Sequence, residues 1–400
     1  MLLTVRRDSQ RAQQRKVMHM NNTGSSNSFA PSVNDWAPWL RLSLTPGLGP
    51  RAAKLLIDSL GSLDNMFDTP DPQVSLLLSH KQLQALKVMP VAFLSTLENT
   101  QTWLAADARR SIVTPQCPDY PVLLGDMDDP PMLMYACGKR QLLQPHAALA
   151  IVGSRNASAQ GVRTAHDFAH SLSQAGLCIV SGLAHGIDGA AHEGALEVTT
   201  NGISPTIAVV GTGLDRVYPR AHHALAQRIG EQGLLLSEFA LGTAPARGNF
   251  PKRNRIIAGL SVGTLVVEAS LASGSLITAH MANDLGRDVF AVPGSIHSPH
   301  AKGCHALIRQ GAKLVETAAD VLDELGWRAP ATIPYRQASE PFNSQDPVLK
   351  ALGFDPLNLD ELLERTGMSA AALQAQLFEL ELGGRVARMP GGLFQQIART

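Results

Sequence analysis

The chain has 400 residues, more than one ordinary domain holds, so two to four folded units are expected. A content of 44% hydrophobic and 17% charged residues is globular and excludes wholesale disorder. The 34 Lys and Arg residues cancel the 34 Asp and Glu residues, so no global field attracts a polyanion and any such ligand must be held by a local patch.

The four cysteines, Cys117, Cys137, Cys178 and Cys304, form neither a CxxC pair nor a disulfide framework. No apolar run is long enough to span a bilayer, and the basic N-terminus has no apolar segment after it, so the reading is cytoplasmic with no membrane partner.

In chain order, residues 1–35 run from Arg/Gln-rich to Asn/Ser-rich and are expected to be a disordered tail. Residues 36–110 have helical periodicity. Thr45-Pro-Gly-Leu-Gly-Pro50 joins two helices in a helix-hairpin-helix-like pattern, whose second helix start can face a phosphate; a plain helical hairpin explains the same glycines. Tyr120-Pro-Val-Leu-Leu and Pro131-Met-Leu-Met-Tyr read as strand or linker.

From Ala147 one unit recurs: a short apolar strand, a small-residue turn, a helix. The strands are Ala148–Val152, Leu177–Val180, Thr206–Val210, Leu234–Leu236, Gly263–Val267 and Asp288–Val292. This is the pattern of an α/β fold with a doubly wound, Rossmann-like sheet, expected over 111–327. In parallel strands the turns Gly153–Arg155, Ser181–Asp188, Gly211–Asp215, Phe250–Arg255 and Ser273–Thr278 converge on one rim, where such sheets bind ligands. A linker is expected over 328–346. A winged-helix domain follows over 347–400, and its second helix carries Gln374, Gln376, Glu379 and Glu381 with no cation before Arg385. That pattern fits protein contact or packing better than DNA.

The turns exclude some chemistry. Gly153 lacks the G-x-G-x-x-G continuation and Gly211-Thr-Gly213 lacks the third glycine, which weakens a dinucleotide reading. His185, Asp188 and His192 have no fourth ligand at suitable spacing, so no metal is expected. No G-x-S-x-G elbow surrounds Ser181, Ser273 or Ser275. An anion site remains. Phe250-Pro-Lys-Arg-Asn-Arg255 reads as a basic loop feeding a buried helix. With Arg155 it resembles a multi-phosphate groove in which Phe250 either stacks on a base or packs as a core aromatic.

Ile151-Val-Gly-Ser-Arg155, Ser181-Gly-Leu-Ala-His-Gly-Ile-Asp188, Gly211-Thr-Gly-Leu-Asp215 with Tyr218-Pro219, Phe250-Pro-Lys-Arg-Asn-Arg255, Ser273-Gly-Ser-Leu-Ile-Thr278 and Val292-Pro-Gly294 together resemble the DprA/Smf family of DNA-processing proteins. The resemblance runs from Trp36 to the C-terminus and is most specific over 148–315. It implies a Rossmann-like core with an N-terminal helical (SAM-like) domain and a C-terminal winged helix. The implied function is binding of single-stranded DNA, protection of incoming strands in natural transformation and loading of the RecA recombinase. A homodimer, no catalysis and no cofactor go with it. Carried over by motif, the DNA-contacting residues are Gly153, Ser154, Arg155, Phe250, Lys252, Arg253, Asn254 and Arg255, with Ser181, Gly182, Ser273, Gly274 and Ser275 adding backbone contacts. Gln160 and Cys304-His305 depart from what relatives carry, away from the basic segment. The competing reading is a nucleotide hydrolase on the same scaffold, with Glu268 as its carboxylate.

Overall fold

The computed structural model describes residues 33–60, 63, 66–67, 72–144, 147–327, 346–353, 356–389 and 391–397. The tail expected over 1–35 lies outside the described residues as far as 32, and residues 33–35 belong to the first helix. The linker expected over 328–346 lies outside them up to 345.

Among the described residues five helices come first: α1 (Val33–Leu44), α2 (Pro50–Leu60), α3 (Pro72–Leu77), α4 (His80–Lys87) and α5 (Phe93–Ala105). The turn between α1 and α2 uses Gly47 at φ 79°, and Leu48 plugs into the core beneath it. Trp36, Trp39, Leu56, Leu86 and Trp103 share one apolar cluster with Ile112 and Tyr135 of the first two strands, so this unit is built onto the sheet's edge.

The sheet elements follow in the order β1 (Arg110–Val113), α6 (Val122–Gly125), β2 (Met134–Gly138), β3 (Ala148–Val152), α7 (Ala159–Gln174), β4 (Cys178–Ser181), α8 (Ile187–Leu196), β5 (Thr206–Val209), α9 (His223–Gln232), β6 (Leu234–Ser237), α10 (Asn249–Leu260), β7 (Gly263–Val266), α11 (Gly274–Asp284), β8 (Asp288–Ala291), α12 (Lys302–Arg309), β9 (Lys313–Leu314) and α13 (Ala318–Leu325). They make one sheet in the order β1-β2-β6-β5-β4-β3-β7-β8-β9. The six strands read from sequence are parallel, as is β9. β1 and β2 extend the β6 edge antiparallel. Of the two apolar runs before this core, the second supplies β2, whereas Val122–Gly125 is a helical turn.

Alternate residues of β3 enter opposite cores, the period-two consequence of the pleat. Ala148, Ala150 and Val152 pack with Ile256, Ile257 and Leu260 of α10; Leu149 and Ile151 pack with Phe168 and Leu172 of α7 and Ile187 of α8. Covered faces explain why these strands are continuously apolar.

Strand order reverses between β3 and β7, the crevice where a dinucleotide would lie in such a fold. Here Glu268, just past β7, fills it. Its carboxylate accepts from the Ser158 N–H at 2.9 Å and the Ser158 hydroxyl at 2.5 Å, at the start of α7. The helix end that would face a phosphate already holds an anion.

The C-terminal unit comprises α14 (Pro347–Leu352), α15 (Leu359–Thr366), α16 (Ala370–Leu382) and the hairpin β10 (Val386–Met389) with β11 (Leu393–Gln396). Val348, Leu352, Leu362, Leu373, Leu377 and Leu380 form its own core, the helix-turn-helix plus ribbon of a winged helix.

Candidate functional site

The basic segment is helical rather than a loop. Gly248 is the N-cap of α10, with no side-chain cap, and no acidic residue stands in the first turn. Pro251, which suggested a loop, falls in that first turn, where its missing N–H costs nothing. Phe250, Lys252, Arg253, Asn254 and Arg255 are thereby fixed on successive faces of one helix, and their fates differ.

Arg253 is only 4% exposed. It lies under the β4 turn, its Nη1 3.9 Å from Asp188 Oδ2. Asp188 also accepts from the Gly182 and Ala184 N–H groups at 3.2 and 3.4 Å. Burial pushes Asp188 up and pulls Arg253 down to about 10, so the guanidinium stays charged at neutral pH. Gly182 leaves room for this guanidinium, because a Cβ on it would sit 1.3 Å from Arg253 Nη1 and displace it. Arg255 is a second internal cation. It donates to both Glu238 oxygens and to the Asp129 carbonyl at 2.5 Å, and burial pushes the Glu238 carboxyl up against that attraction.

Two cations face outward. Arg155 and Lys252 are exposed and have no ion-pair partner among the described residues. The Arg155 guanidinium carbon sits 5.0 Å from the centre of the Phe250 ring, a cation–π contact. Tyr218, 43% exposed, flanks the same ring at 5.8 Å between centroids. Arg155, Phe250, Tyr218, His185, Thr212 and Arg253 line one cleft on the rim. Among the residues of its lining, the Thr212 hydroxyl and Arg253 Nε are buried without a hydrogen-bond partner.

The remaining residues predicted from sequence lie along the same rim in supporting roles. Gly153 lets β3 approach α8, since a Cβ there would meet Ile187 at 2.6 Å. Ser154 N–H donates to the Glu268 carbonyl at 2.7 Å. Ser181 is fully buried, its hydroxyl donating to the Ile151 carbonyl at 2.6 Å, so its side chain faces the core rather than the rim. Ser273 caps α11 through the Ser275 N–H at 3.3 Å, and Asn254 Nδ2 reaches the Gly274 carbonyl at 3.5 Å, which joins that turn to α10.

The three histidine-region groups weighed for a metal diverge. His185 is exposed and packs edge-on against His222 at 4.9 Å; Asp188 faces Arg253; His192 is buried with Nδ1 2.8 Å from the Thr206 hydroxyl and is pushed down to about 3 by burial. Among the described residues no group of His, Cys, Asp or Glu is arranged to hold a metal ion. Sequence reasoning missed Thr212 and left Tyr218 without a role. The Tyr218-Pro219 pair was the available signal, but nothing in the spacing places that ring against Phe250.

The chain thus has a Rossmann-type core with a cationic, aromatic cleft beyond its strand ends. A family model described as DNA recombination-mediator protein A matches residues 111–326, and one described as DprA winged helix domain matches 329–392. The chain is 41% identical to Protein Smf of Escherichia coli over 305 residues, 74% of this chain and 80% of that protein. It is 49% identical to DNA processing protein DprA of Streptococcus pneumoniae over 205 residues, 51% of this chain and 71% of that one. The X-ray structure of the Streptococcus pneumoniae protein superposes with a TM-score of 0.58 at 37% identity, covering 74% of this chain and 99% of that chain. The chain belongs to the DprA/Smf family of DNA-processing proteins.

Proposed function

We propose that this protein binds single-stranded DNA along the rim without sequence preference. Phosphates lie on Arg155, Lys252 and the uncapped start of α10, and a base enters the cleft beside Phe250 and Tyr218. The observation that carries this reading is the division of the basic segment: Arg253 and Arg255 are neutralised by Asp188 and Glu238, while Arg155 and Lys252 are exposed and Arg155 lies beside an accessible aromatic pair. A surface of free cations and stackable rings suits a flexible polyanion with exposed bases. The enzyme reading loses its carboxylate, because Glu268 is committed to Ser158.

Within the family frame, the bound strand is incoming DNA in natural transformation, held by a homodimer and handed to the RecA recombinase; the protein acts by binding, without catalysis. No helix among the described residues is long and apolar enough to cross a membrane, and a cytoplasmic site of action fits that role.

The test is a titration of fluorescent oligo-dT and of an abasic strand of equal length against wild type and Phe250→Ala. Stacking on one base contributes about 1–3 kcal/mol, so the variant should bind oligo-dT roughly 5- to 150-fold more weakly and the abasic strand as wild type does. Equal losses on both strands would remove the base from the cleft.

A further inference from the structure

We infer that the winged-helix unit associates with a second copy of itself through the outer face of α16. This surface is separate from the rim, and the inference does not depend on the DNA-binding reading.

The helix is apolar on two sides. Leu373, Leu377 and Leu380 face the domain's core. On the opposite side Ala371, Ala375, Phe378 and Leu382 follow at spacings of four, three and four residues, which stack them in one stripe. All four are exposed, Phe378 at 61% and Leu382 at 74%. A helix with apolar stripes on two opposite faces ordinarily packs on both. In a winged helix this is also the element that would enter a DNA groove. Glu379 and Glu381 flank the stripe, and α16 holds no cation, so phosphate would be repelled from it.

Size and charge select the occupant. The stripe runs small, small, large, large from the N-terminal to the C-terminal end. Laid antiparallel on an identical helix about a two-fold axis, Phe378 of each copy lies over Ala375 of the other, and Leu382 over Ala371. Bulky groups meet the positions without bulk, as an isologous contact requires. The same arrangement keeps the acidic ends apart. Glu381 of one copy lies over Ala372 and Glu379 over Gln374 of the other, so neither meets a charged side chain, and both lie toward the positive end of the partner helix's dipole. A parallel arrangement would oppose large to large and acid to acid.

One helix pair buries less than a standard interface, so the association is weak, on the order of micromolar or weaker. Sedimentation velocity of the full chain without DNA should show, beyond the proposed homodimer, an association step whose extent rises with concentration across that range. Phe378→Glu, at an exposed position and with an unchanged circular dichroism spectrum, should shift that step at least tenfold in concentration. Ala375→Arg should weaken it too. An equimolar mixture of the two variants should recover it, because the carboxylate introduced on one chain then faces the guanidinium introduced on the other. The inference is overturned if wild type shows no concentration-dependent step, or if Phe378→Glu associates as wild type does. It is also overturned if the mixture fails to recover association, or if Phe378→Glu loses only the capture of a basic peptide or of duplex DNA with its sedimentation unchanged.

Discussion

Asp188 and Arg253 show how a single pair organises the rim. A carboxylate buried at the start of α8 and a guanidinium buried near the start of α10 are each costly alone, and together with two backbone N–H groups they hold the β4 turn against the helix. Removing one charge leaves the other buried and uncompensated. Asp188→Asn should therefore cost about 3–5 kcal/mol of stability, measured by urea unfolding. By contrast Lys252→Glu, at an exposed and unpaired position, should leave the unfolding midpoint within about 0.5 kcal/mol of wild type. A comparable loss for both variants would contradict the division into internal and outward cations. From sequence, Arg253 and Lys252 are indistinguishable neighbours. Only the helical turn separates them, placing one under Gly182 and the other in solvent. The acid that neutralises Arg253 comes from α8, two strands earlier in the chain, and no spacing rule links the two.

At the scale of elements, α7 and α8 are fastened by a histidine. His166 on α7 has Nδ1 3.1 Å from Asp167 and Nε2 3.0 Å from Glu197, just past the end of α8; His170 lies 3.6 Å from the same Glu197, and Arg163 pairs with Asp167. The two carboxylates hold the imidazolium, raising His166 above its ordinary value, with the Asp167 hydrogen bond as the leading cause. The sign follows from linkage. A group whose pKa is raised on folding binds protons more tightly when folded, so its contribution is fully present below its unfolded pKa and is lost as pH rises through its folded pKa. As pH rises from the ordinary imidazole value of about 6.5 through the raised folded one, wild type should lose stability relative to His166→Gln, measured as the difference between their urea unfolding free energies. A difference that stays flat, or grows with pH, would contradict the clamp.

The elements also show what a sequence makes legible. The six parallel strands of the core were readable because apolar runs of three to five residues, recurring between small-residue turns and helices, have few other solutions. β1 was missed because its Arg110 and Ser111 break the apolar signal, and β9 because two residues carry no period. The start of α10 was misread because Phe250-Pro251 marks a break in most contexts, yet a first-turn proline is compatible with helix.

For the whole molecule, a chain with zero formal charge has to gather its cations locally to hold a polyanion, and in the proposed reading it would do so where β3, β4, β5 and α10 meet at one end of the sheet. The rim's position was legible from the strand repeat alone. Its exposed surface was not, because burial removes Ser181 and Arg253 from solvent, Glu238 and Asp129 hold Arg255, and the connection after β5 brings in Thr212 and Tyr218. The most direct test of the account is the affinity for a homopolymer single strand, by fluorescence anisotropy at several salt concentrations, for wild type and for Arg155→Glu with Lys252→Glu. The logarithm of the wild-type association constant should fall with the logarithm of salt by about 0.7 per phosphate contacted. The double variant should bind more weakly on every homopolymer, with a slope shallower by about 1.4, two contacts' worth. An unchanged slope and affinity would show that the strand does not run over this rim.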